Sequence, residues 1–258
     1  MRLLVWAWVF KCFVSFESSM AVAQRAGDGS TPGSRRGCSV AEFGAVPDNT
    51  TDNTAAFRKA AAACAGGEML VPQGVWMTGP FNLTSNTVLR VEGTISGSQL
   101  PANYPLVVQQ PLDEAYRAPY MKNRQRQALI SSYSSRNITV TGTGTIDGNG
   151  WPWWRNVTVE GCGARHDPVW QPNASQQSCA VQRPKLVEFI DCHDVLIAGT
   201  SADNGRLTFK NSPFWTLHPT FCDGVRMANL TVLAPRDHGN TVRTYMLFFA
   251  CNPRTCFS

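Results

Sequence analysis

The heptapeptide Cys192-His193-Asp194-Val195-Leu196-Ile197-Ala198 recurs thirty positions later as Cys222-Asp223-Gly224-Val225-Arg226-Met227-Ala228. A strand-sized unit repeating at such a period is the mark of a solenoid, in which each unit buries its apolar face only by stacking on the next. After the heptapeptide the copies fall out of step. Leu207-Thr208 begins nine positions after Ala198, whereas Leu230-Thr231 begins two after Ala228, so the first copy carries seven extra residues around 201–205. An insertion at one turn is what a stack of coils tolerates. Asn137-Ile138-Thr139-Val140 reads as a fainter third copy of the same strand.

The rest of the chain fits that reading. Short runs of β-branched and apolar residues at 69–71, 75–78, 88–91, 138–141 and 186–190 are separated by Gly, Asn, Asp or Pro. No helical crossovers join them, which argues against a doubly wound sheet. Regular two-residue hairpin turns are also missing, which weakens an antiparallel sandwich. One helix is expected, over 52–65: Asp52, Asn53 or Thr54 can cap it, Phe57, Ala60, Ala61 and Cys64 share a face, and Gly66-Gly67 ends it. The expected fold is all-β, a right-handed parallel β-helix with this short helix capping its front end. Cys38 and Cys64 bracket the helix and are a candidate disulfide, and Cys162 with Cys179 is a second. Cys192 and Cys222 fall at equivalent places on neighbouring coils, about 4.8 Å apart, where either a disulfide or a stack of unbonded thiols fits.

Several features point to export. Residues 1–23 pair the basic start Met1-Arg2 with an apolar run and end in Ala21-Val22-Ala23, as a secretory signal does, and neither apolar piece has the roughly 20 residues of a membrane span. Residues 24–37, rich in Gly, Ser and Arg, read as an exposed leader or linker. Sequons occur at Asn49, Asn82, Asn137, Asn156, Asn173 and Asn229. Of the nine cysteines, Cys12 would leave with the signal, and the eight remaining suit disulfides in an oxidising compartment. Loss of Arg2, Lys11 and Glu17 takes the formal charge from +5 to +4, a mild basicity that suits an anionic polymer but is also ordinary for a soluble surface. The expected location is extracellular or in a cell wall, with no membrane anchor and no nucleic-acid partner.

Five segments together resemble glycoside hydrolase family 28, the polygalacturonases. They are Glu42-Phe43-Gly44-Ala45-Val46 with the helix after it, Gly93-Thr94-Ile95-Ser96-Gly97-Ser98, and Gly144-Thr145-Ile146-Asp147-Gly148-Asn149-Gly150 before Trp151, Trp153 and Trp154; then Arg183-Pro184-Lys185-Leu186-Val187-Glu188-Phe189 and Asn211-Ser212-Pro213-Phe214-Trp215-Thr216-Leu217-His218-Pro219. The likeness spans 38–241, the part read as a partial β-helix domain. It implies a pectin lyase-like solenoid, hydrolysis of the α-1,4 bonds of pectin, and pectin or oligogalacturonide as partner. It also implies inversion by two carboxyl groups: one protonates the leaving oxygen and the other activates a water across a gap of roughly 6.5 to 9.5 Å.

Members of the family carry those groups in Asn-Thr-Asp and Asp-Asp, and complete the site with Gly-His-Gly and Arg-Ile-Lys. Here Asn240 and Thr241 match the start of the first motif, but Val242 follows, and no Asp-Asp, Gly-His-Gly or Arg-Ile-Lys occurs. No catalytic residue can be named. Residues 242–258 resemble nothing in the family. Every valine codon begins with GU, the first dinucleotide of an intron, so a retained intron, a frameshift and a real end are the open explanations. On this reading the chain is inactive, a monomer when folded, and able to aggregate through an open last coil.

The other candidates are weak. Asp147 beside the tryptophans fits a structural turn better than a catalytic acid, and Asp191, Asp194 and Asp237 read as turn groups. His166, His193, His218 and His238 have no metal-ligand spacing, so neither metal nor cofactor is expected. The basic stretch Arg117, Lys122, Arg124 and Arg126 reads as solvated surface. Two alternatives to a hydrolase remain: a non-catalytic secreted pectin-binding protein or inert fragment, and, last, a calcium-dependent lyase, for which no carboxylate cluster exists.

Overall fold

The computed structural model describes residues 37–107, 125–154, 183–200 and 205–234. After β1 (Cys38–Ser39), the chain winds in coils that each give up to three short strands to the stacked sheets. The first coil holds β2 (Glu68–Val71), β3 (Val75–Thr78) and β4 (Phe81–Asn82). The second holds β5 (Val88–Val91) and β6 (Thr94–Gly97), the hairpin strands β7 (Leu106–Val107) and β8 (Gln125–Arg126), and β9 (Ile130–Tyr133). The third is β10 (Arg136–Gly142), β11 (Thr145–Asp147) and β12 (Val187–Ile190); the fourth is β13 (His193–Gly199), β14 (Leu207–Lys210) and β15 (Leu217–Thr220). The last described coil holds β16 (Arg226–Ala228) and β17 (Leu230–Leu233).

Equivalent strands stack in parallel. Sheet A runs β1-β2-β5-β10-β13-β16, sheet B β3-β6-β11-β14-β17 and sheet C β4-β9-β12-β15, while β7 and β8 form a separate antiparallel pair. This is a parallel β-helix, as the sequence pattern predicts. The register reproduces the repeat: Ile197 pairs with Met227 and His193 with Asp223, thirty apart, while Leu207 pairs with Leu230, the seven-residue insertion having been absorbed between sheets A and B. Ile138 pairs with Val195 and Val140 with Ile197, which places the fainter third copy one coil earlier.

Alternation along each strand sends every second side chain inward. Met69, Leu89, Val140 and Ile197 make one fully buried column, and Trp76, Ile95, Ile146 and Phe209 make another. The corners between sheets C and A need left-handed backbone, and short polar residues supply most of it. Asn86, Asn137, Asp194 and Gly224 lie at φ 60°, 55°, 55° and 61°, and Ser134, Asp191 and Phe221 at 45°, 54° and 54°. The Asn137 amide donates to Asn86 Oδ1 at 3.0 Å, so one such corner also binds coil to coil. Asp191 and Asp194 are turn residues here.

Coil lengths are unequal. Along sheet A the column Met69, Leu89, Val140, Ile197 and Met227 advances by 20, 51, 57 and 30 residues. In the two longest coils the excess falls between sheets B and C, before β9 and before β12.

The front is closed by α1 (Thr54–Ala63), two residues shorter at each end than the expected 52–65. Phe57, Ala60, Ala61 and Cys64 are buried against the first coils. Asp52 rather than Asn53 serves the helix start: Asp52 Oδ1 accepts from the Thr54 N–H at 2.9 Å, while the Asn53 side chain accepts from Val46 N–H and donates to Val46 O. A disulfide joins Cys38 to Cys64, with Cα atoms 5.8 Å apart. Cys192 and Cys222 are buried free thiols, so of the two arrangements open to them the stack is present and the disulfide is not. Cys162 and Cys179, like residues 1–36 and 235–258, lie outside the described residues.

Candidate functional site

The outward row of sheet C holds the densest group of interacting polar and charged side chains among the described residues. Register aligns Asn82, Ser131, Glu188 and His218 across four successive coils. At the front of the row, Asn82 Oδ1 accepts from Ser131 Oγ at 2.5 Å and from Gln127 Nε2 at 2.8 Å. Further along, Glu188 Oε1 takes both a charged hydrogen bond from Lys185 Nζ and a contact from His218 Nδ1 at 3.2 Å. Thr220 Oγ1 lies 3.2 Å from the same imidazole. The Lys185 and Glu188 side chains are only 5% and 2% exposed.

Burial alone would raise the Glu188 pKa, but the Lys185 ammonium and the His218 hydrogen bond outweigh it and hold the carboxyl at about 2. His218 is pushed below its ordinary value, chiefly by burial, and so stays neutral. Tyr133, on the same face, is pushed up to about 12 by burial and by the Glu188 charge. The result is a sealed charge cluster. Glu188 is ionised throughout the range in which enzymes work and has no access to water, so it suits neither general acid nor water-activating base.

Aromatic rings continue the cluster. Trp215 stacks on Phe214 with centroids 4.7 Å apart and packs on His218 at 4.5 Å. Lys185 Nζ lies 5.5 Å from the Trp215 ring centroid, and the Arg183 guanidinium 4.9 Å from that of Phe214. Both resemblance segments at 183–189 and 211–219 therefore meet at one place. The sequence reading passed over this meeting, although the signal was present: Glu188 and His218, like Lys185 and Trp215, are separated by the same thirty residues as the heptapeptides.

Other expected residues fall elsewhere. Asp147 is a turn residue: its Oδ1 accepts from Asn149 N–H at 2.9 Å and Asn211 Nδ2 at 3.0 Å, and Lys210 Nζ lies 3.2 Å from Oδ2. The tryptophans beside it form no common platform. Trp153 is buried edge-on to Tyr104, and Trp154 is buried and donates to Ser212 O at 3.1 Å, which leaves Trp151, 61% exposed. Arg126 is not plain solvated surface either: its Nη1 donates to Pro101 O and Tyr104 O at 2.7 Å each, and its guanidinium lies 5.8 Å from the Trp153 centroid. Of the sequons, Asn49, Asn82, Asn137 and Asn229 are exposed, the second and third with their amides engaged between coils. Asn156, Asn173, Asn240 and Thr241 are outside the described residues, as are Arg117, Lys122, Arg124, Asp237, His166 and His238. Among the described residues no three His, Cys, Asp or Glu side chains are grouped as a metal site. None of their helices is long and apolar enough to cross a membrane.

Three stacked parallel sheets with a polar, aromatic-flanked row along one of them define a β-helix of the kind built by polysaccharide-degrading enzymes. Residues 63–243 match the glycosyl hydrolases family 28, and the chain belongs to that family. A probable polygalacturonase of Vitis vinifera is 29% identical over 212 residues, covering 79% of this chain and 38% of that protein. A polygalacturonase of Malus domestica is 28% identical over 214 residues, with 79% and 37% covered. The chain thus spans about two fifths of the length of these relatives. Among solved structures, a hyperthermoactive exopolygalacturonase from Thermotoga maritima superposes with a TM-score of 0.59 at 26% identity, covering 77% of this chain and 47% of that one.

Proposed function

We propose that this chain carries part of the galacturonan-binding groove of a secreted polygalacturonase-like hydrolase, and that its 258 residues do not by themselves cleave the polymer. The observation that carries the reading is the family 28 match over residues 63–243, and the outward row of sheet C, with Asn82 exposed at its front and His218 half-buried at its end, is the face on which such a groove would lie, Ser131 and Glu188 being buried supports within it. In sequence, Asn240 and Thr241 match the start of the family's first motif, and Val242 stands where its acid is expected.

The argument for inactivity is chemical. Inversion needs a protonated carboxyl and a carboxylate on opposite faces of the scissile bond. Valine offers neither, and Glu188 is buried and bound to Lys185. General acid–base groups each contribute about 10² to 10⁴-fold, so a site without them turns over no useful amount of substrate. Export belongs to the reading too, since residues 1–23 have the pattern of a signal and a Cys38–Cys64 disulfide is a bond that persists in oxidising compartments. Glycosylation at the exposed sequons outside the sheet C row, Asn49, Asn137 and Asn229, and a monomeric state complete it.

Calorimetric titration of the purified chain with oligogalacturonides, beside a reducing-sugar assay on polygalacturonate, tests both halves. Saturable binding without sugar release is the expected result. Sugar release would overturn the inactivity, and absence of binding would overturn the groove.

A further inference from the structure

We propose that Cys192 and Cys222 are a modification site, a thiol pair that glutathione disulfide closes into a second disulfide tying the last described coil to the coil before it. The inference does not rest on the galacturonan reading. It starts from register: His193 and Asp223 form a parallel bridge, and the two cysteines each stand one position earlier. Asp223 N–H also donates to Cys192 O at 3.0 Å, so the backbones remain in contact at the cysteines themselves. Neighbouring parallel strands lie about 4.8 Å apart, and disulfides bridge Cα separations of roughly 4.4 to 6.8 Å.

Local geometry points both sulfurs the same way. Each cysteine follows a residue of left-handed backbone, Asp191 at φ 54° and Phe221 at 54°, and each is followed two positions later by another, Asp194 at 55° and Gly224 at 61°. Two identical corners therefore hold the thiols inside the solenoid, 0% and 3% exposed. Cys222 Sγ sits 3.4 Å from Cys192 N and 3.3 Å from Phe189 O, and Cys192 Sγ 3.4 Å from Ile190 O. The mutual influence of the two thiols holds Cys192 below its ordinary value and raises Cys222 above its own, burial adding to the latter.

A buried pair reacts only when it opens. Cys222 is followed directly by the exposed Asp223 and Gly224, so a local opening of that corner uncovers it. In the open form the Cys192 thiolate attacks one sulfur of glutathione disulfide, forming a mixed disulfide and releasing a glutathione thiolate. Cys222, giving up its proton to solvent, then attacks Cys192 Sγ and releases the second glutathione. Two protein thiols are oxidised and one glutathione disulfide is reduced to two glutathiones. Reclosure buries the new bond.

The test is a non-reducing peptide map of the whole chain after equilibration with glutathione disulfide, acid quenching and alkylation in denaturant. A peptide linking Cys192 to Cys222 is expected as the main species of the pair, beside the Cys38–Cys64 link. Recovery of both cysteines alkylated while Cys38–Cys64 stays linked would overturn the proposal, and so would a link from either to another cysteine. In Cys222→Ala, Cys192 is expected to retain a glutathione adduct; an unmodified Cys192 there would overturn its role as the attacking thiol.

Discussion

Two histidine–carboxylate pairs each span thirty residues and join one coil to the next. His193 Nδ1 meets Asp223 Oδ1 at 2.7 Å with side chains 42% and 62% exposed, whereas His218 Nδ1 meets Glu188 Oε1 at 3.2 Å with side chains 13% and 2% exposed. The longer contact is the more consequential. Water competes for the first pair and screens it. In the second, the charge on Glu188 has been taken out of water and depends on Lys185 and His218 for its solvation. The apolar columns differ in the same sense: Leu89 and Met227 are members of one sheet A column, yet Leu89 is fully buried and Met227 half-buried. A place in the repeat sets which neighbour a residue meets; how completely that meeting is covered sets what it is worth.

The largest expected effect comes from breaking the buried pair. Glu188→Gln leaves the Lys185 ammonium buried without its counter-charge and should cost about 3 to 5 kcal/mol in urea unfolding. A loss under about 1 kcal/mol would mean that this face of sheet C is wet, and the contrast with His193–Asp223 would collapse. Next, Leu89→Ala should cost about 2 to 5 kcal/mol, because it opens a cavity in a closed column. Met227→Ala should cost clearly less, as the half-buried methionine has less to lose; equal losses would show that the last described coil is as well sealed as the second.

Acid should sharpen the same distinction. Glu188 has its pKa depressed from 4.5 to about 2, so its contribution is present in full above pH 4.5 and is lost as pH falls through 2. His218 is depressed too: the unfolded chain takes up a proton near pH 6.5 that the folded chain resists, which removes stability on the same side. A fall of roughly 3 kcal/mol from Glu188 alone is expected between pH 5 and pH 2, and Glu188→Gln should flatten the profile over that interval. An unchanged slope in the variant would remove Glu188 from the account. The smallest effect is reserved for the exposed pair. Asp223→Asn should cost about 0 to 1 kcal/mol, and what it costs should shrink in high salt.

Much of this architecture was legible beforehand because a solenoid writes its neighbours into its period. The thirty-residue repeat predicted the pairing of Ile197 with Met227, and the seven extra residues predicted that Leu207 would meet Leu230. The face of the capping helix followed from Phe57, Ala60, Ala61 and Cys64. The site was less legible. Glu188 lies in a run that reads as plain strand, and only the fold turns it outward beside Lys185 and His218. The tryptophans misled for the opposite reason: adjacency in sequence suggested a platform, but a helical turn at 151–154 sends Trp153 and Trp154 into the core and leaves Trp151 outside.

What the sequence determined by itself is the order of contacts. Period, alternation and corner residues such as Asn86, Asn137 and Asp194 specify a parallel stack, since short polar side chains tolerate left-handed backbone where β-branched ones do not. The motifs specify the family. Tertiary structure alone decided environment: that Lys185 and Glu188 are sealed from water, that Cys192 and Cys222 are buried free thiols, and that Met227 is half covered. The reason is physical. Neighbours along a repeat are fixed by counting, but dielectric, exposure and acidity depend on what covers a residue from every side.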